Sequence, residues 1–493
     1  MRLAFTANRE LAFHLLRLHM KTFTLIIAIV CMALSPFSTL RAADAAKPNI
    51  ILCMTDDQGW GDTGYNGLKK IQTPALDAMA ANGLRFNRFY AQHPSCSPTR
   101  ASVMTGRHPY RMGCFWPGMT LRQPEITIAQ AVKRVGYATA HYGKWHLSGG
   151  KPGGGRPLPA DEPLGPGKFG FDEWFTVSNW FDLDWTFSHN GTPVKVTGDG
   201  SDAIVSEALK FIEKNAKEDK PFLTVIWFGS PHVPLKPTEA DLKAAGGSAF
   251  YGEMIGVDRS MGALRAGLRK LGIADNTMIW FNSDNGAWME DKAAPDAYGS
   301  NSTLRGHKGE LWEGGIRVPG LIEWPAGIKK PAVTDMIACT SDIYPTIVEL
   351  LKIKIADQIL PLDGVSLMPL IKGEMKERPQ PLGFWHHGSD DLETGPAVWM
   401  ENRYKLIKKE AEVIEPKTED AQGQKKQKPK RAPAKYELYD LIADPSEKTD
   451  IAAQHPEDMK RMQAQMDKWL ESVRRSNAGA DYPGGSFPKA IEK

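Results

Sequence analysis

Four short apolar runs in this chain each end on a cluster of charged or metal-ligand residues. The runs cover residues 49–54, 136–142, 221–228 and 277–281, and they are rich in β-branched and aromatic side chains. Runs this short, apolar throughout rather than alternating, predict strands buried on both faces, as in a parallel sheet. Helical patterns lie between them, over residues 75–82, 128–134, 201–214 and 252–271. Strands alternating with helices predict an α/β domain with a mostly parallel sheet. After the runs come, in turn, Asp56-Asp57, Lys144 with His146, His232, and Asp284-Asn285. Open α/β sheets bind ligands beyond the carboxyl ends of their strands. A polar loop explains any one of these clusters, but it explains four together poorly. One sheet edge is therefore expected to collect all of them.

From about residue 376 the pattern changes. Runs at 382–386, 397–400, 404–408 and 436–439 predict short antiparallel strands, and an amphipathic helix is expected over 452–475. The chain is thus divided into a catalytic domain over 44–375 and a smaller C-terminal subdomain over 376–493. Residues 410–435, with Pro416, Pro429, Pro433 and many lysines, predict a disordered hairpin loop. Its charge suits a polyanionic glycan, although such a run is more often a solvated loop.

At the other end an apolar run over 23–34 follows Lys21 and precedes Ala42-Ala43-Asp44-Ala45. That order predicts a signal peptide within residues 1–43. The run is shorter than the ~20 residues a membrane span needs. Met20-Lys21 is itself a normal start, so residues 1–19 are open to being an upstream extension. An exported protein, periplasmic or secreted and without a membrane span once mature, is expected. The formal charge of +3 misleads: Arg2, Arg9, Arg17, Lys21 and Arg41 against Glu10 put +4 in the leader, leaving −1 on the rest. A near-neutral remainder argues against a nucleic-acid partner. The cysteines left, Cys53, Cys96, Cys114 and Cys339, are too few for a disulfide framework.

Cys96-Ser97-Pro98-Thr99-Arg100 is followed by Ala101-Ser102-Val103-Met104-Thr105-Gly106-Arg107. Pro98 suits the first turn of a helix and Gly106 its end. Cys96 is then expected beside a helix N-terminus, where the dipole favours an anion, with Arg100 pointing back at it. A buried structural cysteine and a nucleophile in a positive field fit this segment alone equally well. The segment is similar to the signature of type I sulfatases, of the alkaline-phosphatase-like superfamily. So are Thr55-Asp56-Asp57-Gln58-Gly59-Trp60-Gly61-Asp62, Gly143-Lys144-Trp145-His146-Leu147, Pro231-His232-Val233-Pro234, Ser283-Asp284-Asn285-Gly286, Leu304-Arg305-Gly306-His307-Lys308-Gly309, and Trp312-Glu313-Gly314-Gly315-Ile316-Arg317. The likeness runs from about residue 48 to about residue 475, in the expected order.

Asp56, Asp57, Asp284 and Asn285 offer hard oxygen donors without sulfur or imidazole, which suits Ca²⁺ or Mg²⁺ rather than Zn²⁺. Helix capping is the plainer reading of an Asp or Asn, but two acidic pairs after two strands favour a metal. The resemblance implies calcium, with residue 96 completing its shell. It also implies that a maturation enzyme oxidises Cys96 to formylglycine, whose hydrate carries two hydroxyls. One attacks sulfur; the other collapses to the aldehyde and ejects sulfate. Arg100, Lys144, His146, His232 and Lys308 are implied around the sulfate, His232 or Lys308 as proton donor to the leaving oxygen and His146 as proton acceptor. The expected partner is a sulfated carbohydrate. Trp180, Phe181 and Trp185 are open to lining a sugar cleft or to filling a core, and His386-His387 to reaching the rim. Two alternatives are a phosphodiesterase or phosphonate monoester hydrolase of the same superfamily, and a non-catalytic binder of sulfated glycans.

Overall fold

The computed structural model describes residues 47–149, 153–288, 297–386, 395–411 and 432–485. In it all four apolar runs are strands of one sheet. Its strands are β1 (Asn49–Thr55), β2 (Leu84–Tyr90), β3 (Ala138–Lys144), β4 (Glu173–Val177), β5 (Thr186–His189), β6 (Thr192–Lys195), β7 (Phe222–Trp227), β8 (Thr277–Ser283), β9 (Arg317–Glu323), β10 (Ala332–Thr334) and β11 (Ala338–Cys339). The order is β10-β2-β9-β8-β1-β7-β3-β4-β5-β6, with β11 also on β2. The run from β8 to β4 is parallel throughout, while β9 pairs antiparallel with β2 and β8.

The continuous apolar runs follow from two covered faces. Ile50, Leu52 and Met54 enter one core with Ala101, Val103 and Met104 of the helix Cys96–Thr105. Ile51 and Cys53 enter the other, with Ile204, Val205 and Ile212 of the helix Gly200–Lys217 and Val257, Met261 and Leu264 of the helix Ala249–Lys270. Buried apolar surface contributes about 25 cal/mol per Å², so both faces stabilise the sheet. Strands β2, β4 and β9 are not apparent as apolar runs. In β2, Leu84-Arg85-Phe86-Asn87 alternates, as half-buried strands do.

The C-terminal strands form a second sheet in sequence order and antiparallel throughout: β12 (Leu382–Trp385), β13 (Ala397–Met400), β14 (Tyr404–Lys408) and β15 (Tyr436–Asp440). The expected helix spans Pro456–Asn477. It sets Met462, Met466, Leu470 and Val473, one stripe at helical spacing, against Trp385, Leu406 and Leu438. The opposite face of this sheet packs Phe384, Val398 and Ile407 against Tyr90 and Ile316. A fully buried ionic cluster lies there too: Lys405 Nζ is 3.1 Å from Glu313 Oε1 and 2.7 Å from Glu447 Oε1. Tyr90 donates its hydroxyl to Glu313 Oε2 at 2.8 Å.

The leader at 1–43 and most of the lysine-rich segment, 412–431, lie outside the described residues. Among the described residues, no helix is long and apolar enough to cross a membrane.

Candidate active site

The strands that precede the four predicted clusters are neighbours, in the order β8-β1-β7-β3. Thr55 lies opposite Ser283, Met54 opposite Trp227, and Gly143 opposite Trp227. Their carboxyl ends are therefore level, and the residues that follow converge on one place. The close approach demands glycine at two points. Gly143 has φ +93°, and a Cβ there would meet the Trp227 carbonyl oxygen at 2.0 Å. A Cβ on Gly286 would meet the Gly314 carbonyl oxygen at 1.8 Å.

Cys96 is the first residue of its helix, and Gly106 ends that helix with φ 72°. The thiol is 3.5 Å from Asp56 Oδ1. Arg100, one turn on, is fully buried: Nη2 lies 2.7 Å from Asp284 Oδ2 and 3.3 Å from Asp56 Oδ2, and Nη1 donates to the Lys144 carbonyl at 3.2 Å. Lys144 Nζ is 2.5 Å from Asp56 Oδ2. Lys308 Nζ is 2.6 Å from Asp57 Oδ1, which also accepts from Asn285 Nδ2 at 2.7 Å. His232 donates Nδ1–H to the Val233 carbonyl at 2.5 Å and turns Nε2 to Asp57 Oδ2 at 3.7 Å. His146 follows Lys144 with φ 54°. Ser97 donates to its carbonyl at 2.6 Å. The ten candidate catalytic and metal residues, Asp56, Asp57, Cys96, Arg100, Lys144, His146, His232, Asp284, Asn285 and Lys308, are thus brought together.

Its electrostatics follow from burial. Burial pushes the Asp56 carboxyl up, but Lys144, His232, Arg100 and Lys308 outweigh it and hold the group well below the ordinary carboxylate range. Burial and the charge of Asp56 push Asp284 up to about 7. Lys308 stays above its ordinary range because Asp57, Asp56 and Asp284 outweigh its burial. Burial, with Lys144 and Arg100 beside it, depresses His146 and leaves a neutral imidazole whose Nδ1 has no hydrogen-bond partner. Burial and Asp56 raise the Cys96 thiol well above its ordinary range.

The donor set fits a hard divalent cation. Asp57 Oδ2 and Asn285 Oδ1 are buried without a hydrogen-bond partner, and such atoms are costly unless something satisfies them. Ligand atoms of Asp56, Asp57, Cys96 and His232 lie within 4.8 Å of one another. Asp284 joins this group through Arg100 and by accepting the Asp57 backbone N–H at 3.2 Å.

The family model described as Sulfatase matches residues 48–353. The chain belongs to the sulfatase family. A second model, described as N-sulphoglucosamine sulphohydrolase, C-terminal, matches residues 307–476 of this sulfatase. Mouse N-acetylgalactosamine-6-sulfatase is 32% identical over 71% of each chain. The ulvan-active sulfatase of Formosa agariphila is 32% identical over 67% of this chain and 66% of its own. The crystal structure of Ps i-CgsB in complex with k-i-k-neocarrahexaose matches with a TM-score of 0.72 at 28% identity, covering 86% of this chain and 93% of the other. The enzyme is accordingly a sulfuric ester hydrolase of the alkaline-phosphatase-like fold.

Beside the cluster is a cavity of about 810 Å³ lined by Cys96, His146, His232 and Lys308, together with Arg156, Asn179, Trp180 and Trp288. Of the three aromatics noted in the sequence, Trp180 lines it. Phe181 is buried in the core against Phe187. Trp185 backs Trp180 at 5.2 Å and donates to the Gly155 carbonyl. His386 is placed against His93 and a different cavity, shared with Trp312; His387 lies outside the described residues. Trp288 and Asn179 were missed by the sequence reading. The one available signal was position: Trp288 follows Asp284-Asn285 closely, and Asn179 follows a short strand.

Proposed function

We propose that this sulfatase is an exported enzyme that cleaves sulfate monoesters of a carbohydrate by covalent catalysis through residue 96, oxidised from cysteine to formylglycine. The carrying observation is that the Cys96 side chain lies beside Asp56 at a helix N-terminus, with Arg100, Lys144, His232 and Lys308 close by. Three fixed cations suit a sulfate anion and the charge that builds as its S–O bond breaks. A plain cysteine or serine has no second hydroxyl with which to release the sulfate, which favours a modified residue. Hydrated formylglycine would supply the attacking oxygen and a second hydroxyl for release of sulfate. Asp56, Asp57, Asp284 and Asn285 would hold a divalent cation, for which our assignment is calcium, and it would supply Lewis-acid charge at the sulfate.

In this reading Arg100 holds Asp56 and Asp284 in place. Lys144 and Lys308 neutralise the substrate's sulfate. Lys308 supplies the proton to the leaving oxygen, or His232 does so from Nε2 in its doubly protonated form, since its Nδ1–H is committed to Val233 and burial favours the neutral ring. His146, neutral and with a free Nδ1, takes the proton released as sulfate departs. The carbohydrate substrate is supported by relatives named for N-acetylgalactosamine-6-sulfate and ulvan. Export rests on residues 1–43.

Mass spectrometry of the peptide containing residue 96 tests the reading. Active protein should show the thiol replaced by an aldehyde or its hydrate. Cys96→Ser, with one hydroxyl, should stall after a single turnover. Steady turnover by that variant, or full activity with an unoxidised thiol, would exclude the mechanism.

A further inference from the structure

A fifth strand feeds the same sheet edge. β4 lies parallel to β3, with Val177 opposite Lys144. The chain leaves it as Ser178-Asn179-Trp180, all three of which line the catalytic cavity with Arg156 and Trp288. We infer that these residues recognise the sugar carrying the scissile sulfate, and that Arg156 reads a second anionic group on the substrate. The inference rests on the sulfatase reading of residue 96 for what occupies the other half of the cavity.

Size is the first argument. At about 810 Å³ the cavity is in the range that encloses a whole organic ligand, well beyond one sulfate.

The second argument is an oriented acceptor. Asn179 Nδ2 donates to the Gly153 carbonyl at 2.7 Å, which sets the amide's direction. Its Oδ1 is shielded and has no hydrogen-bond partner. An acceptor left unpaired costs stability, so a small movement of Asn179 that brings Oδ1 to a sugar hydroxyl would be favoured.

The third is a pair of indoles. Trp180 is backed by Trp185 at 5.2 Å, and Trp288 is set edge-on to His232 at 5.6 Å with Lys308 Nζ 4.6 Å over its ring. Pyranose rings carry apolar C–H faces that pack on such surfaces.

The fourth is Arg156. Its side chain is 50% exposed, and Glu162 Oε2 holds one nitrogen at 2.8 Å. Its backbone is clamped in both directions to Ser178: the N–H donates to Ser178 Oγ at 3.0 Å, and the carbonyl accepts the Ser178 N–H at 2.9 Å. None of the described residues lining the cavity is acidic. A guanidinium with one edge anchored and the other open is suited to a carboxylate or sulfate.

The test compares three saccharides in full-length, formylglycine-bearing protein: one monosulfated, its counterpart with a second sulfate, and its counterpart with a uronate carboxylate. The wild type should prefer at least one doubly anionic form by about tenfold or more in kcat/KM. Which form it prefers identifies the anion as sulfate or carboxylate. Arg156→Ala should abolish that preference, chiefly through KM, and Arg156→Lys should restore part of it. No preference in the wild type, or an undiminished one in Arg156→Ala, overturns the inference.

A binding measurement separates this failure from failure of the catalytic reading. Calorimetric titration of Cys96→Ala with the same saccharides requires no turnover. Tighter binding of a doubly anionic form, lost on adding Arg156→Ala, sustains the inference even if no sulfate ester is hydrolysed. Equal binding of all three saccharides overturns it.

Discussion

At the residue scale, Asp284 is the group on which the cluster turns. It bonds Arg100 through one oxygen and the Asp57 backbone through the other, so it orders both a guanidinium and a neighbouring carboxylate residue. Asp284→Ala should lose most bound metal and about 100-fold or more in turnover. Elemental analysis beside an aryl sulfate assay checks this; full metal occupancy with normal turnover would refute the assignment. All ten cluster residues were legible because each is a charged or ligand side chain directly after an apolar run, or inside a distinctive motif. Asn179 and Trp288 were not, because an amide and an indole in loops carry no periodicity. Whether Trp180 faces a cavity and Phe181 a core is decided by backbone direction after β4, which composition does not encode.

At the element scale, the helix Ala249–Lys270 steadies the segment that carries His232. Glu253 on that helix accepts from Ser230 Oγ at 2.5 Å and from the Lys236 backbone at 2.8 Å, on either side of His232. Burial raises its carboxyl from the ordinary 4.5 to about 8. The folded protein then binds a proton that the unfolded chain has released. The stabilisation is full below about 4.5 and is lost as pH rises through about 8. Thermal midpoints should therefore fall between about pH 4.5 and 8, and Glu253→Gln should flatten the decline. An equally steep profile in the variant would show that another group is responsible. The hairpin β14–β15 supports a second expectation. Its strands pair from Tyr404 with Asp440 to Lys408 with Tyr436, and Lys409 N–H adds a bond to the Lys435 carbonyl at 2.8 Å. Replacing residues 412–431 by a short glycine-containing turn should leave folding and aryl sulfate turnover intact. Insoluble protein would mean that the segment is structural. The C-terminal strands were legible as short runs, whereas β2 and β9, antiparallel neighbours, lacked the continuous apolar signal of the parallel centre.

At the scale of the whole molecule, the two sheets meet around a buried charge. Lys405 of β14 bonds Glu313, at the end of the segment that carries Lys308, and Glu447 near the C-terminus. Removing one partner of a buried ionic set leaves uncompensated charge and costs about 3–5 kcal/mol. Lys405→Met should lower the denaturation midpoint accordingly and reduce turnover, since Glu313 anchors the Lys308 segment. An unchanged midpoint would show that the cluster contributes no net stability. No periodicity links residues 313, 405 and 447, so this contact was not legible in the chain. The level sheet edge has one more consequence, in time rather than space. Asp57 bonds Asn285 across 228 residues, and Lys308 closes over Cys96 from about two hundred residues further along the chain. Cys96 is 1% exposed once the fold is complete. If oxidation makes the nucleophile, as proposed, an oxidising enzyme would reach it most readily before β8 and the Lys308 segment are in place. At about 5–20 residues per second that interval is on the order of 10–40 s of synthesis. Under that proposal activity would be set partly by a race between modification and closure, and a chain that folded too soon would be a well-formed but silent enzyme.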